Sequence, residues 1–289
     1  FVTAQRVVTV SSFTDMCLIP AGTFLMGESG KVPPHSYAQR EIYVSAFYAG
    51  KYEVTKSLWD EVRLWATDPA RGANVYQFDN NGTAEGPDHP IANVKWWDVV
   101  KWCNARSEKE NLTPVYYQES NHSTVYRRSY PSLAIEWVNW KANGWRLPTE
   151  AEWEKAARGG LVGMRYPNGN VFRVTDGNSR ETWGHQDLAK ALEVGKYPAN
   201  GYGLHDAAGN VSEWCWDWFP GDSWYLTENA KVPNPRGSEY NGIHKRLRRG
   251  EHHRNTSNYL TTFHRTVSGL GEASIVLGFR LARNAPDAV

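Results

Sequence analysis

A chain of 289 residues, with 32 basic and 31 acidic side chains and a formal charge of +1, buries roughly three quarters of its unfolded surface on folding, enough for a core without metals or bridges. So small a charge excludes the long-range field that gathers nucleic acid or an anionic membrane, and no apolar run reaches the length of a bilayer span. Three cysteines, Cys17, Cys103 and Cys215, scattered without C-x-x-C spacing, exclude a zinc framework and a disulfide scaffold.

The opening stretch, "FVTAQRVVTVSSFTDMC", has neither an initiating Met nor a signal-peptide core, so the chain reads as a processed or truncated form. Residues 18–29 alternate apolar and small side chains up to Gly27 and predict a strand; residues 40–55, β-branched and aromatic around Gly50, predict another. Thr55 is the expected N-cap of a helix over 56–66, with Leu58, Val62 and Trp65 at helical spacing. After a loop rich in Asn, Asp, Gly and Pro (67–90), a second helix is predicted over 95–111. Trp96, Val99, Val100 and Cys103 share its apolar face, and its charged tail is expected to meet water. Residues 112–145 show no clean period.

The sharpest local signal is "RLPTEAEWEKAARGG" (146–160), where Thr149 and Glu152 stand in the T-x-x-E relation of a capping box and Gly159 supplies the stop. Residues 161–200 read as loop, and 201–219 cross turns into an aromatic, strand-like end. The 14 Trp, 15 Tyr and 9 Phe suit either a fold poor in regular elements or a sugar-binding face; their W-W, W-x-W and helical settings favour packing. Each cysteine, in apolar or aromatic context, is expected to be a buried thiol. A Cys103–Cys215 bridge and the redox compartment stay open. Short helices, short strands and many loops without a linker predict one α+β domain over 1–289.

Seven stretches, "IPAGTFLMG" (19–27), "YEVTKSLWDEV" (52–62), "HPIANVKWWDVVKWCNA" (89–105), "RLPTEAEWEKAARGG" (146–160), "GYGLHDAAGNVSEW" (201–214), "LRRG" (247–250) and "GFRLAR" (278–283), resemble the ordered motif series of the formylglycine-generating-enzyme family. The resemblance runs over almost the whole chain and implies a C-type-lectin-like fold of formylglycine-generating-enzyme type, elaborated with long loops. It also implies an oxidoreductase that modifies a sulfatase cysteine with copper held by paired cysteines between the last two motifs. Here that segment, 251–277, contains no Cys, so thiolate chemistry has nothing to work with. Relatives that bind iron through His and carboxylates borrow ligands from an extra helical domain, for which these residues offer no candidate.

The same segment resembles the variable region of proteins diversified by retroelements. Arg249 and Gly250, then Arg265, then Gly278, Phe279 and Arg280 match the fixed points of such a template. Randomised adenines in AAC or AAT codons never encode Lys, Trp, Met, Gln or Glu; the segment has none of the first four, and Glu251 and Glu272 alone depart. The expected function is therefore non-catalytic binding, with His252, His253, Arg254, Asn255, Thr256, Asn258, Tyr259, Phe263, His264, Thr266, Ser268 and Glu272 facing an unidentified protein or surface ligand. No nucleic acid is expected. The membrane enters only through a lipidated N-terminus that the resemblance implies, with display at a bacterial cell surface.

Competing readings are a metal-dependent oxidoreductase of the same family, an idle surface loop, a metal site on His252, His253 and His264, and a sugar-binding lectin. Adjacent residues of an extended chain point oppositely, which sets His252 against His253 as joint ligands, and no Glu-Pro-Asn or Gln-Pro-Asp sugar motif is present. No cofactor is expected except a structural calcium that the resemblance implies. Asn210 and Glu213 are its candidate oxygen ligands, with a weaker second site around Asn178; the alternative is that Asn210 caps a turn and Glu213 pairs with an arginine.

Overall fold

The computed structural model describes residues 13–31, 38–128, 133–184, 189–219, 221, 232–240 and 242–286. The predicted strand over 18–29 is two strands, β1 (Met16–Ile19) and β2 (Gly22–Met26), which enter different sheets. Pro20 lies between them, and a residue without an N–H cannot continue a ladder. The stretch 40–55 divides likewise into β3 (Arg40–Val44), paired with β2, and β4 (Phe47–Gly50), paired with β1. The last strand among the described residues, β9 (Ala282–Asn284), joins β4 on its other side, so both ends of the described chain meet in one three-stranded antiparallel sheet.

Helix α1 (Lys56–Thr67) starts where Thr55 accepts a hydrogen bond from the Leu58 N–H. Its buried stripe is Trp59, Val62 and Ala66, one residue round from the predicted one, because Trp59 stacks at 5.7 Å on Trp102 of α2 (Trp96–Lys109). The predicted face of α2 is buried. Its charged tail, however, does not simply face water. Ser107 is buried and receives the Trp145 N–H at 2.8 Å, Glu108 gathers Arg71, Arg127 and the Tyr76 hydroxyl, and Glu110 accepts from Arg106 and the Trp145 indole. Arg127 and Trp145 from the irregular stretch, with Arg71 from the loop before α2, close over this tail, and polar groups brought out of water need partners.

Helix α3 (Glu150–Ala157) carries both halves of the capping box. It stops at Gly159, whose φ of +57° and closeness to the Gly201 backbone leave no room for a side chain.

The four-stranded sheet has the order β7-β6-β5-β8, from β5 (Ser212–Trp218), β6 (Lys245–Arg249), β7 (Thr266–Gly269) and β8 (Leu277–Gly278). β5 is buried along its whole length, and its alternate residues Trp214, Trp216 and Trp218 belong to the main core. Beneath it lies a tryptophan-rich core in which the buried Arg246 guanidinium sits 3.5 Å from the Trp218 ring, 3.9 Å from Trp96 and 4.6 Å from Trp216. Cys17, Cys103 and Cys215 are buried free thiols, so Cys103 and Cys215 are not bridged. The arrangement is a mixed fold with few helices and much irregular chain, as expected for an α+β domain.

Candidate functional site

Register places the segment 251–277. Glu213 of β5 lies opposite Arg249 on one side and Gly278 on the other, so the chain leaves the sheet beside one neighbour of β5 and returns beside its other neighbour. Gly278 must be glycine, since a Cβ there would stand 2.3 Å from the Ile91 carbonyl oxygen.

Three arginines hold this excursion. Arg249 donates to Glu150 at 2.9 Å and Glu154 at 2.5 Å, and to the carbonyls of Thr262 and Phe263 inside the segment. Arg265 reaches the same Glu150 oxygen at 2.7 Å. Arg280 forks onto Glu213 with two bonds of 2.6 Å and donates to the carbonyls of Gly50 and His205. All six side chains are buried. Glu150 and Glu154 are one helical turn apart on α3, which sets both carboxylates on one face.

Such pairs are poor sources of net stability, yet losing one member leaves a charge without solvent or partner. Burial pushes the Glu154 carboxyl up, but Arg158 and Arg249 outweigh it and hold it at about 2. A folded-state value below the usual 4.5 contributes about 3 kcal/mol that is present above pH 4.5 and lost as pH falls towards 2. Unfolding free energies measured from pH 5 to pH 2.5 will show this loss in the natural chain and a flatter slope in Glu154→Gln.

Between these fixed points the predicted binding residues divide. Arg254, Asn258, Tyr259 and Glu272 are exposed, Tyr259 by 49%. His252, Asn255, Thr256, His264 and Thr266 are half-buried. His253, Phe263 and Ser268 are buried, which corrects the expectation that they face a ligand. The His253 Nδ1 donates to the Asn210 carbonyl at 2.7 Å, Phe263 packs under the Arg165 guanidinium, and Ser268 is a ladder residue of β7 opposite Arg246. Ile275, 54% exposed, belongs to the outward face and was not predicted.

The body supports the segment at points the sequence did not mark. Glu181 accepts from the Ser257 N–H and hydroxyl, Arg180 donates to the Asn255 carbonyl, and the Trp97 ring lies against Gly271. Glu251 turns the chain at φ +51°, its carboxylate taking the Thr266 hydroxyl with His264 at 3.7 Å.

Burial, then Arg248, pushes the His252 imidazole down to about 3; burial also lowers His253 and His264. All three are thus neutral hydrogen-bonding groups at neutral pH. The His252 and His253 ring centres are 6.0 Å apart and steeply inclined, and no group of three or more His, Cys, Asp or Glu among the described residues is disposed to hold a metal.

The calcium expectation does not fit Asn210 and Glu213 either. Both Glu213 oxygens are taken by Arg280, and one also accepts from the Trp153 indole. The Asn210 side-chain oxygen accepts from Asn178 and from the Leu192 N–H, while its amide donates to Glu53; the Asn178 oxygen accepts from the Trp183 indole. The arginine pairing of Glu213 is what the geometry shows.

A family model described as "Sulfatase-modifying factor enzyme 1-like domain" matches residues 3–285. The chain belongs to this formylglycine-generating-enzyme family. It is 32% identical over 264 residues to a "Chaperone protein LppX" of Paenibacillus barcinonensis, covering 79% of this chain and 85% of that protein. It is also 32% identical over 250 residues to a formylglycine-generating enzyme of Thermomonospora curvata, covering 78% of each. Among solved structures it is similar to "Treponema denticola variable protein 1", with a TM-score of 0.71 and 27% identity over 93% of this chain and 95% of that one. Enzymes and a variable protein thus share this fold.

Proposed function

We propose that this chain is a non-catalytic binding protein whose segment 251–277 is a surface diversified by a retroelement. The observation that carries the reading is the division of the segment. The arginines at the template's fixed points, Arg249, Arg265 and Arg280, are buried and paired with the body, while Arg254, Asn258, Tyr259, Glu272 and Ile275 between them point outward. Exposed side chains of this kind change stability by within about 0.5 kcal/mol each, so such positions tolerate change while the backbone keeps its course. A surface held in this way also avoids ordering cost on binding.

The enzymatic reading finds no support in the cysteines. The segment has none, and burial pushes the Cys17, Cys103 and Cys215 thiols above their ordinary range, away from the thiolate that copper chemistry requires. We further propose display at a bacterial cell surface through a lipidated N-terminus, with a protein or surface molecule as ligand.

Replacing Arg254, Asn258, Tyr259 and Glu272 together by alanine will leave Tm within about 4 °C of the natural chain. Cooperative unfolding of that variant at room temperature would defeat the proposal, as would oxidation of a cysteine-containing peptide by the natural chain that this variant loses. In the neighbouring DNA, the reading requires a reverse transcriptase gene and a near-copy of the coding segment for 249–280, with adenines at the differing positions.

A further inference from the structure

The tryptophan-rich core reaches the surface as a series of neighbouring rings. Trp140, half-buried, meets Trp216 edge-on with ring centres 5.6 Å apart. Trp216 lies 5.6 Å from Trp96, Trp96 lies 6.5 Å from Trp218, and Trp218 lies 4.9 Å from Tyr240, which is 38% exposed. The Tyr240 hydroxyl stands 2.5 Å from the His244 Nε2. Electron tunnelling decays exponentially with distance, so rings this close exchange an electron readily, and a hole placed on one indole can visit the others.

Charge decides where such a hole comes to rest. An indole that loses an electron becomes a cation, and the Arg246 guanidinium lies 3.5 Å from the Trp218 ring, 3.9 Å from Trp96 and 4.6 Å from Trp216. Arg236 lies 4.6 Å from the Trp140 ring. The attraction of a guanidinium for an intact ring turns to repulsion once that ring is positive. Loss of the indole proton would relieve it, but the Trp218 Nε1 is buried with no acceptor. The other three indoles donate to main-chain carbonyls, which are too weakly basic to keep a proton. Tyr116, stacked on Trp216 at 5.6 Å, offers no outlet either: its hydroxyl accepts from the Leu147 N–H, and burial pushes it well above the ordinary phenol range. Of these rings only Tyr240 has a nitrogen base at its hydroxyl.

We infer that these rings form a radical relay, which passes an oxidising hole from the tryptophans to Tyr240. Tyr240 gives one electron to the Trp218 radical cation and its phenolic proton to the His244 Nε2. Trp218 is restored, Tyr240 becomes a neutral tyrosyl radical and His244 becomes an imidazolium. The oxidant is a small one-electron radical oxidant arriving from solution. A soluble one-electron donor such as a thiolate then reduces the exposed tyrosyl, and His244 returns the proton. The relay spares the indoles that surround Arg246 from permanent oxidation. All of its residues lie outside 251–277, so the inference goes beyond the binding reading and does not depend on it.

Pulse radiolysis of the full chain in azide solution tests it, because the azide radical takes an electron preferentially from indole. Tryptophanyl absorption is expected to decay while tyrosyl absorption grows, at a first-order rate that does not change with protein concentration. Tyr240→Phe, which keeps the ring, is expected to remove that growth and leave the tryptophanyl radical long-lived. His244→Phe is expected to slow the growth by about tenfold, a barrier higher by about 1.4 kcal/mol. Both substitutions are at exposed positions, and Tyr43→Phe, at an exposed tyrosine outside the series, is expected to change nothing. Three results would overturn the relay: no tyrosyl growth in the natural chain, a rate proportional to protein concentration, or the same growth in Tyr240→Phe. An unchanged rate in His244→Phe would overturn the assignment of His244 as the proton acceptor.

Discussion

Glu150→Ala is expected to lower Tm by about 10 °C, at roughly 2–4 °C per kcal/mol for a chain of this size. Glu150 is the one carboxylate shared by Arg249 and Arg265, at 2.9 and 2.7 Å from a single oxygen. Breaking a buried pair by deleting one partner costs about 3–5 kcal/mol, because the remaining charge is left uncompensated. Here Arg249 keeps Glu154 at 2.5 Å, so Arg265 bears most of the loss. The damage should be felt where Arg265 sits, in the middle of the segment. Hydrogen exchange will check this: amides of 260–266 should lose protection before those of β5. A variant that melts like the natural chain would show that the arginines do not hold the segment.

Arg280→Ala is expected to be more severe, and its severity should depend on pH. Arg280 lies in a buried group of acids: it forks onto Glu213, and its charge acts against burial at Glu53 and Asp206. Burial and then the Asp206 and Glu213 charges push Glu53 well up even with the arginine in place; burial likewise raises Asp206. An acid raised in the folded state binds protons on folding, so its contribution is present at low pH and lost as pH rises through its folded value. Removing the cation raises these groups further. The deficit of Arg280→Ala, at least about 3–5 kcal/mol, should therefore be largest near pH 8 and shrink by pH 5, as followed by thermal melts in parallel with the natural chain. Arg280→Lys should recover little, since an ammonium cannot reproduce the two-pronged contact. A deficit independent of pH would mean that packing, and not charge, is what Arg280 supplies.

What could be read in the sequence was what local rules encode. Thr149 and Glu152 declare a helix start through their own backbone, and the structure has both bonds. Partners far along the chain carry no such mark. The charged tail of α2 looks solvated because nothing within ten residues says that Arg71, Arg127 and Trp145 will come to it. For Glu213 the sequence offered both a metal and an arginine, but not which arginine: Arg280, 67 residues away, is the one forked onto it. Within the segment no period of 2 or 3.6 tells inward from outward, so His253, Phe263 and Ser268 could not be separated from Arg254, Asn258 and Tyr259. The fixed arginines were visible as template positions, but their physical role was not. Glu150 and Glu154 at i and i+4 beside a Trp were the available hint, since acids on the apolar face of a short helix demand cationic partners.

The fourteen indoles also give the molecule a built-in optical readout. The segment contains no tryptophan, and emission from Trp96, Trp216 and Trp218, packed about the Arg246 guanidinium, reports on the interior. Trp97, whose ring edge meets Gly271, is half-buried and stands at the border. A partner that seats on the outward face without disturbing the interior should change emission chiefly through Trp97, and Trp97→Phe would silence that signal while leaving the interior spectrum as a steady internal standard.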